Sequence, residues 1–501
     1  MNNNNQEIHL KEEILERIVE AFFSNDFKEK TRLIPFEMRP KGSEVMYRCC
    51  IFKERAILKD RVIAGLGFTI ENDNEVTDLL EYAEKSIKRN EPDENPLTVV
   101  ETACKGCVPN RIYVTDICQG CLATSCRIAC KFGAISIING KSVINSSKCK
   151  NCKMCIAACP YNAIVKIVVP CEDVCPVSAI KKNANGTAKI DYSTCIYCGK
   201  CIVSCPFGAV HEKSQIIDVL KNIVFGKKKV IALIAPSIIG QFQGNIYQLK
   251  SALIKVGFFN VYEVAYGADV TIINEAKEFN KRMKLGESFM TTSCCASYAQ
   301  FIKKHLPEIE PFVSDTKTPL YYITQKVKAK HQDAVIVFIG PCVAKKKEVY
   351  ENKDVDYAIN YEELRAVFTV KGIKVQDCEE EKFDIESSKQ GRGFCVTGGV
   401  VGAVSNVVGF LGGRILLKQY IINGFTKETI KQLNRIVKDK KCVEGNLVEV
   451  MGCEGGCIGG NATICNLKIS QRAVKTLLEQ SESVLKIKYS CDIHSNDSVT
   501  N

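Results

Sequence analysis

The sequence lacks the long apolar runs that direct a chain into or across a membrane. No stretch reaches the ~18 uninterrupted apolar residues of a membrane span. The most apolar segment, 394–411, is broken by four glycines, a serine and an asparagine. We predict that it forms a tightly packed helix, either beside a cofactor or in an ordinary core. The start of the chain, Met1 to Gln6, has an asparagine run and no apolar signal core. We therefore expect a cytoplasmic protein.

The sequence also lacks a nucleic-acid signature, although its net charge is +11. Lysine runs occur at 227–229 and 345–347, but aromatic residues do not alternate with these lysines. Most of the lysines are interpreted as solvated surface. If the excess has a function, it favours an acidic protein partner, because small electron carriers are attracted by complementary charge.

Cysteine, in contrast, is abundant, with 28 in 501 residues. Disulfides on this scale belong to secreted proteins, and the sequence shows no secretion signal. Reduced thiols in such number indicate metal binding. The length predicts two to four domains with at least one large core.

Composition divides the chain into four regions. Residues 1–100 have helical patterning, residues 101–215 are rich in cysteine, residues 225–466 have α/β character, and residues 467–501 form a C-terminal helix and tail. The helical patterns are Leu10, Ile14, Ile18 and Phe22, then Val76, Leu80, Ala83 and Ile87. The charged stretch 88–96 is predicted to be a linker, and a last helix is predicted over 470–479.

The α/β region alternates apolar runs with amphipathic segments. Buried strands are predicted at 230–234, 261–264 and 334–339, and a helix is predicted over 246–256. The run 334–339 places Gly340-Pro341-Cys342 at a strand's carboxyl end, where open parallel sheets bind ligands. We expect two such sheets with the site between them.

Two identical cysteine runs lie in the cysteine-rich region. Cys149, Cys152, Cys155 and Cys159, and again Cys195, Cys198, Cys201 and Cys205, follow the spacing C-x2-C-x2-C-x3-C-P of bacterial ferredoxins. Three thiolates at this spacing hold one [4Fe–4S] cubane, and the cysteine before proline reaches the neighbouring cluster. Zinc is the alternative, but zinc sites pair two C-x2-C units across a longer gap.

A looser run upstream completes a pattern of four cubanes. Sixteen cysteines lie in the range from Cys104 to Cys205. If each cluster takes its fourth ligand from another part of this range, as in ferredoxins, the sixteen divide into four sets of four. The sets are Cys118, Cys121, Cys126 and Cys159; Cys149, Cys152, Cys155 and Cys130; Cys195, Cys198, Cys201 and Cys175; and Cys104, Cys107, Cys171 and Cys205. The last set is the weakest, and three clusters with a few structural thiols is the alternative. Several cubanes together indicate an electron relay, which implies a catalytic centre at its end.

Three further cysteine motifs lie in the α/β region. They are Thr292-Ser293-Cys294-Cys295, Gly340-Pro341-Cys342-Val343-Ala344-Lys345, and Glu449-Val450-Met451-Gly452-Cys453-Glu454-Gly455-Gly456-Cys457. Together they supply five thiols, and a cubane needs four. A spare thiol beside a metal centre suggests proton chemistry.

In order and spacing these motifs resemble the active-site signatures of [FeFe]-hydrogenases, over roughly 230–465. The resemblance implies an H-cluster, which is a cubane bridged to a two-iron unit with carbonyl, cyanide and dithiolate ligands. It implies Cys295, Cys342, Cys453 and Cys457 as cubane ligands, with Cys457 as the bridge, and Met451 beside the cofactor. It also implies that Cys294 transfers protons, that Lys345 pairs with one cyanide, and that Ala235, Pro236 and Ser237 contact the other.

The resemblance further implies a proton path of Glu278, Ser314, Glu275 and Cys294. A buried carboxyl has a raised pKa, so it can give and take a proton near neutral pH. Taken alone, Glu275 and Glu278 would be interpreted as a solvated helix face. They are assigned to the path because both, together with Ser314, match the family's pattern.

The motifs depart from the family's usual form at a few positions. Ala296 and Tyr298 replace a proline and a tryptophan, Gly340 replaces a methionine, and 459–462 replaces a run of glycines. None of these changes removes a ligand or a proton carrier. They put turnover, catalytic bias and oxygen tolerance in question, and not the cofactor.

The sequence thus predicts an α/β catalytic domain of two open-sheet lobes around the H-cluster. An α+β ferredoxin-like domain with several [4Fe–4S] clusters and a mainly helical N-terminal region precede it. The predicted activity is reversible formation of H2 from protons and electrons. Ferredoxin or flavodoxin is the expected partner, and separate maturation enzymes build the cofactor. The alternatives are a hydrogen sensor on the same cofactor, a non-catalytic iron–sulfur assembly or electron-transfer protein, and a component of a larger complex.

Overall fold

The computed structural model describes residues 6–43, 48–104, 107, 111–411 and 416–486. Its N-terminal part is helical, as the apolar spacing predicts. The helices are α1 Gln6–Phe22, α2 Phe27–Met38, α3 Ile51–Gly65 and α4 Leu79–Lys88. A short 3-10 turn, Ile70–Asn72, lies between α3 and α4. The predicted run of Ile14 and Ile18 forms the buried face of α1.

The cysteine-rich part consists of short helices and two-stranded antiparallel ribbons. Its elements are β1 Leu97–Val99, α5 Glu101–Cys104, β2 Arg111–Val114, α6 Ser125–Ile128, β3 Ile135–Ile138, β4 Lys141–Ile144, α7 Met154–Ala158, β5 Ile164–Ile167, α8 Pro170–Val174, β6 Ile180–Lys182, β7 Ala188–Ile190, α9 Lys200–Ser204 and β8 Val210–Glu212. The ribbons pair β1 with β8, β2 with β5, β3 with β4, and β6 with β7. Strands this short provide little core, so the cysteine sites must contribute much of the stability.

The remaining part alternates strands with helices. It contains α10 Ile216–Val224, β9 Val230–Ile234, α11 Ile246–Val256, β10 Asn260–Glu263, α12 Val264–Lys284, β11 Met290–Thr291, α13 Ala296–His305, α14 Pro319–Lys330, β12 Val335–Ile339, α15 Val343–Glu351, β13 Tyr357–Ile359, α16 Tyr361–Val370, α17 Lys389–Gly393, α18 Gly399–Phe410, β14 Gln419–Asn423, α19 Lys427–Asp439, β15 Leu447–Met451 and α20 Leu467–Gln480. Short 3-10 turns lie at Pro236–Ile238, Pro307–Phe312, Val375–Asp377 and Cys457–Gly459.

Two parallel sheets organise this part. One has four strands in the order β10-β9-β12-β13, and the other has three in the order β11-β15-β14. Every residue of β9, β12 and β15 is buried, as expected of parallel strands covered on both faces. The strand predicted at 230–234 and the helix predicted at 246–256 are confirmed.

Some predicted boundaries are wrong for local reasons. Val76 is not helical and is 87% exposed, because Asp78 caps α4 by accepting a hydrogen bond from the Leu80 amide. The helix predicted over 394–411 begins only at Gly399, since Gly398 adopts a left-handed φ of 83°. The strand predicted to end at Val264 ends one residue earlier, where α12 begins.

Buried contacts join the relay region to the catalytic region. The Lys346 Nζ atom on α15 lies 2.6 Å from Glu212 Oε1 and 2.8 Å from Glu363 Oε2. In the stretch predicted to be a linker, Arg89 Nε donates to Asp218 Oδ1 on α10 at 2.9 Å. These ion pairs fix the regions against each other. The predicted tail beyond residue 486 lies outside the described residues.

Candidate functional site

The predicted site motifs all begin where a parallel strand ends. Strand β9 leads into 235–237, β12 into 340–345, β11 into 292–295, and β15 into 452–457. The carboxyl ends of parallel strands are where open sheets place ligands. The two sheets therefore present their motifs to a common space.

Four of the five motif thiols lie close enough to influence one another. Burial, followed by the neighbouring thiolates of Cys342, Cys295 and Cys457, raises the pKa of Cys453 well above its ordinary value. Burial and then Cys295 raise the pKa of Cys342 to about 12. The Gly452 amide donates a hydrogen bond to Cys295 Sγ at 3.3 Å. The structure thus brings together the four cysteines that the sequence predicted as one ligand set.

The bridging candidate, Cys457, occupies an unusual position. Its side chain is accessible to solvent, yet burial is the main cause that raises its pKa well above the ordinary value. The thiol is therefore accessible and still surrounded by protein atoms. Gly456 holds this loop in place. A Cβ at this glycine would lie 2.7 Å from the Cys395 carbonyl oxygen, and its φ is +83°.

The fifth thiol, Cys294, has a carboxyl neighbour. Burial, followed by the charge of Glu275, raises the pKa of Cys294 well above its ordinary value. Glu275 is fully buried on α12 and accepts a hydrogen bond from the Ser293 amide at 3.3 Å. Its second oxygen, Oε2, has no hydrogen-bond partner among the described residues. Burial is the largest cause that raises the pKa of Glu275 to about 8.

Ser314 lies between the two predicted glutamates. Its hydroxyl donates to Glu278 Oε2 at 2.6 Å, and Ser314 is also among the neighbours that lower the pKa of Glu275 against the larger effect of burial. Glu278 is partly exposed and pairs with Arg282 at 2.7 Å. Ser314 thus bonds to Glu278 and neighbours Glu275, and Glu275 in turn neighbours Cys294.

Lys345 reaches the same cluster from α15. Burial alone would lower its pKa, but Glu348 and then the thiolates of Cys342 and Cys294 raise it overall. Its Nζ atom donates to Glu348 Oε2 at 2.6 Å, and Glu348 also accepts from Thr318 Oγ1 at 2.9 Å. The Lys345 ammonium therefore lies near the predicted cyanide site. It is hydrogen-bonded to Glu348, a carboxylate that the sequence motifs did not indicate.

The loop at 235–237 lies on the opposite wall. Ser237 is fully buried, and its hydroxyl bonds to the Tyr361 hydroxyl at 2.7 Å. Burial raises the pKa of Tyr361 well above its ordinary value, and the thiolates of Cys395, Cys457 and Cys342 raise it further. Pro236 begins the 3-10 turn, and Ala235 and Met451 are buried. The loop therefore adjoins the thiol cluster, as predicted.

Sequence reasoning missed three neighbours of the cluster besides Glu348. Tyr361 and Cys395 lie outside the cysteine motifs and gave no signal. Glu449 opens the third motif, and its carboxylate accepts the amides of Gly398, Val400 and Val401 at 2.7–3.0 Å. It thereby caps α18. Glu449 could have been recognised from the sequence, because an acidic residue inside an apolar strand must find hydrogen-bond partners when it is buried.

The relay thiols also gather in the predicted sets. One cavity is lined by Cys118, Cys121, Cys126 and Cys159, and a second by Cys130, Cys149, Cys152 and Cys155. Burial raises the pKa of Cys171 to about 12, and the thiolates of Cys205, Cys104 and Cys107 are the next causes. Burial also raises the pKa of Cys195 to about 12, with Cys198 and Cys175 contributing.

Neighbouring thiol sets lie within electrostatic reach of one another. The Cys198 thiolate is among the charges that raise the pKa of Cys453, after burial and the thiolates of its own set. Cys171 likewise contributes to the raised pKa of Cys201 after burial. Lys200 of the relay donates to the Phe425 carbonyl oxygen, and Ser297 donates to the Ile196 carbonyl oxygen at 3.1 Å. The set that contains Cys171 and the set that contains Cys201 therefore form a path of thiols into the catalytic region.

The spacing of the thiols is wider than a single ion requires. Within the described ranges, no three Cys, His, Asp or Glu side chains approach closely enough to ligate one metal ion. The sets are instead groups of four mutually influencing thiols, a donor type that suits iron–sulfur clusters. Among the helices that the structure describes, none has the length and apolarity to cross a membrane.

Three family models match parts of the chain. Residues 228–461 match the C-terminal domain of the iron-only hydrogenase large subunit. Residues 166–216 match the LdpA Fe–S cluster-binding domain, and residues 142–165 match the 4Fe–4S binding domain.

Three relatives illustrate the similarity. The periplasmic [Fe] hydrogenase large subunit of Nitratidesulfovibrio vulgaris is 27% identical over 50% of this chain and 72% of its own length. The NADP-reducing hydrogenase subunit HndD of Solidesulfovibrio fructosivorans is 27% identical over 62% of this chain and 55% of its own. Iron hydrogenase 1 of Clostridium pasteurianum is 26% identical over 50% and 52%. The chain thus spans only about half the length of two of these relatives.

Solved structures also match. A variant of [FeFe]-hydrogenase HydA1 from Chlamydomonas reinhardtii has a TM-score of 0.44 and 21% identity, covering 52% of this chain and 88% of that one.

Proposed function

Because residues 228–461 match the C-terminal domain of the iron-only hydrogenase large subunit, we propose that the chain is an [FeFe]-hydrogenase and catalyses the reversible conversion of two protons and two electrons into H2. One observation carries this proposal. A spare thiol, Cys294, stands between a set of four thiols and a buried carboxyl, Glu275. An electron-transfer protein needs the four thiols, but it does not need the fifth or the carboxyl.

The family's cofactors are [4Fe–4S] clusters and the H-cluster, and the residues present suit them. We assign the cubane of the H-cluster to Cys295, Cys342, Cys453 and Cys457. When bound, the two-iron unit supplies the centre at which protons and electrons combine. Lys345 would offer its ammonium, and the 235–237 loop its dipoles, to the anionic ligands of that unit, since such ligands need donors in a dry pocket.

The protein's own contribution to the reaction is proton supply. The pKa of Glu275, about 8, lets this carboxyl hold a proton at neutral pH and release it to an acceptor. The Ser314 hydroxyl can relay a proton between Glu278 and Glu275 by donating to one and accepting from the other. Cys294 would deliver the proton, because a thiol gives and takes protons far more readily than a hydroxyl.

Electrons would reach the site through the relay thiols. We assign four cubanes to the four sets between Cys104 and Cys205, with the Cys175, Cys195, Cys198 and Cys201 set next to the active site. The expected partner is a ferredoxin or flavodoxin, and the expected location is the cytoplasm. Dedicated maturation enzymes would install the two-iron unit.

Infrared spectroscopy tests the proposal directly. Protein produced together with the maturation enzymes should show bands of iron-bound carbonyl and cyanide. It should also evolve H2 from dithionite-reduced methyl viologen. Protein without these bands after maturation would contradict the H-cluster assignment. Bands accompanied by no H2 turnover would favour the sensor interpretation.

A further inference from the structure

Positive charge is concentrated in one part of the relay, residues 111–166, here called the ferredoxin-like lobe. It contains eight Lys or Arg residues and one Asp, a net +7 out of +11 for the chain. Seven of the eight cations are exposed: Arg111, Arg127, Lys131, Lys141, Lys148, Lys150 and Lys153. In the described part of the chain, the only lobe cation with a carboxylate partner is Lys166, which pairs with Asp173 at 3.3 Å.

Apolar side chains are exposed among these cations. Leu122 is 100% exposed and Ile128 is 78% exposed. Further exposed apolar residues of the lobe include Ile117, Phe132, Met154 and Tyr161. Phe132 and Tyr161 line the cavities of the two thiol sets in this lobe. Helices α6 and α7, which carry Ile128 and Met154, contact each other. Several large apolar side chains exposed on one small lobe suit an interaction surface.

The N-terminal region contacts the set of Cys104, Cys107, Cys171 and Cys205. Arg61 on α3 donates to the Phe207 carbonyl oxygen at 3.0 Å, two residues beyond Cys205. Arg48 donates to the Ala103 carbonyl oxygen at 3.3 Å, next to Cys104. In the lobe, by contrast, Cys152 is exposed. None of the other relay cysteines is exposed, so the lobe offers a partner the most accessible thiol of the relay.

We propose that the ferredoxin-like lobe is the docking surface for a small acidic electron-transfer protein. The cations would attract the partner, and the apolar side chains would pack against it once water is expelled. This division between steering charges and an apolar contact is common in transient interfaces. The role of this docking surface in H2 turnover rests on the proposed function.

The test compares two triple variants with the same change of charge. Lys131→Glu/Lys141→Glu/Lys150→Glu alters the lobe, and Lys427→Glu/Lys431→Glu/Lys438→Glu alters exposed lysines of α19. The probe is an acidic two-cluster ferredoxin at low ionic strength. We expect the lobe variant to raise the ferredoxin Kd and KM by about tenfold and the α19 variant to change them less than about twofold. Iron content and viologen-driven H2 evolution should be unchanged in both.

A third variant and the salt dependence sharpen the result. Leu122→Ser removes an exposed apolar side chain, so it should weaken ferredoxin binding without altering stability. Added salt should weaken wild-type binding more than binding to the lobe variant. Equal ferredoxin Kd values for the wild type and both triple variants would overturn the docking inference. Association of the wild-type chain with itself through the lobe, abolished by Leu122→Ser, would also overturn it.

The Kd measurement needs no H2 turnover. Failure of viologen-driven H2 evolution would therefore contradict the proposed function while the docking inference is still tested.

Discussion

The relay region and the catalytic region bring thiols together in opposite ways. In the relay, three thiols of a set such as Cys149, Cys152 and Cys155 come from one short run, held by two-stranded ribbons. In the catalytic region, Cys295, Cys342 and Cys453 follow three strands that belong to two different sheets. The relay sites are thus local in sequence, whereas the active site exists only when both sheets are assembled.

The difference extends to proton chemistry. The relay thiols have backbone amides as near neighbours, as where the Ala179 amide donates to Cys175 Sγ at 3.2 Å. Relay thiols can have a charged neighbour too, since Lys182 Nζ lies 3.9 Å from Cys104 Sγ, but the catalytic set has a fully buried carboxyl, Glu275, beside its fifth thiol. A relay site needs to change only its electron count, whereas the catalytic site must also supply protons.

The largest loss of H2 turnover should come from Cys294→Ser. Serine keeps the shape but holds its proton far more tightly, so H2 turnover should fall by about 10³-fold or more. Iron content and the infrared bands of matured protein should persist, because Cys294 is not assigned as a ligand. Cys295→Ser should instead disturb the cubane. Wild-type turnover by Cys294→Ser would mean that protons arrive by another route.

The next largest loss of H2 turnover should come from Glu275→Gln. The amide cannot carry a proton along the path, so turnover should fall by about 10²-fold. Ser314→Ala should give a similar loss, whereas Gln325→Glu, on the exposed side of α14, should have little effect. Intact turnover in both path variants, measured with reduced methyl viologen, would rule out the Glu278–Ser314–Glu275 line.

Glu275 also predicts how stability depends on pH. The pKa is about 8 in the folded protein against an ordinary value of 4.5. Between these values the folded state holds a proton that the unfolded state has released. This stabilisation is present at low pH and is lost as pH rises through about 8. Denaturant titrations should therefore show Glu275→Gln gaining up to a few kcal/mol relative to wild type between about pH 5 and pH 9. A constant difference would contradict the raised pKa.

The contrast between the regions explains what could be predicted from sequence. Spacing alone grouped Cys195, Cys198 and Cys201, because a short run constrains its own geometry. Tyr361 and Cys395 could not be predicted, because their segments approach Cys457 only through tertiary packing. Val76 had the right spacing for α4, but the Asp78 cap starts the helix after it.

In the relay, a single cysteine substitution is expected to remove the iron of one cluster and leave the other clusters in place. Unmatured protein should contain about twenty iron atoms, four for each of five cubanes. Cys198→Ala should lower this number by about four without removing the other clusters. Cys378→Ala, at a buried thiol outside all five sets, should leave the iron content unchanged. A wild-type content near sixteen would mean that the Cys104, Cys107, Cys171 and Cys205 set holds no cluster.

The smallest effect should come from a departure in the first catalytic motif. Tyr298 stands where the motif that this sequence resembles usually has tryptophan. Its hydroxyl shares a hydrogen bond with Thr291 Oγ1 at 3.0 Å, and both residues are buried. Tyr298→Phe leaves the Thr291 hydroxyl without this partner, so the free energy of unfolding should fall by about 1–3 kcal/mol. The ring still fills the space next to Phe425 and Phe301, so the thiols should keep their places.

Turnover in Tyr298→Phe should therefore change less than about twofold, well below the effect of changing the proton path. Denaturant titration and viologen-driven H2 evolution measure the two quantities on one sample. Phe301→Leu, which perturbs the same core without touching this hydrogen bond, serves as the packing control. If Tyr298→Phe lost turnover but not stability, the hydroxyl would belong to the catalytic machinery, and the departures from the family motif would alter chemistry as well as packing.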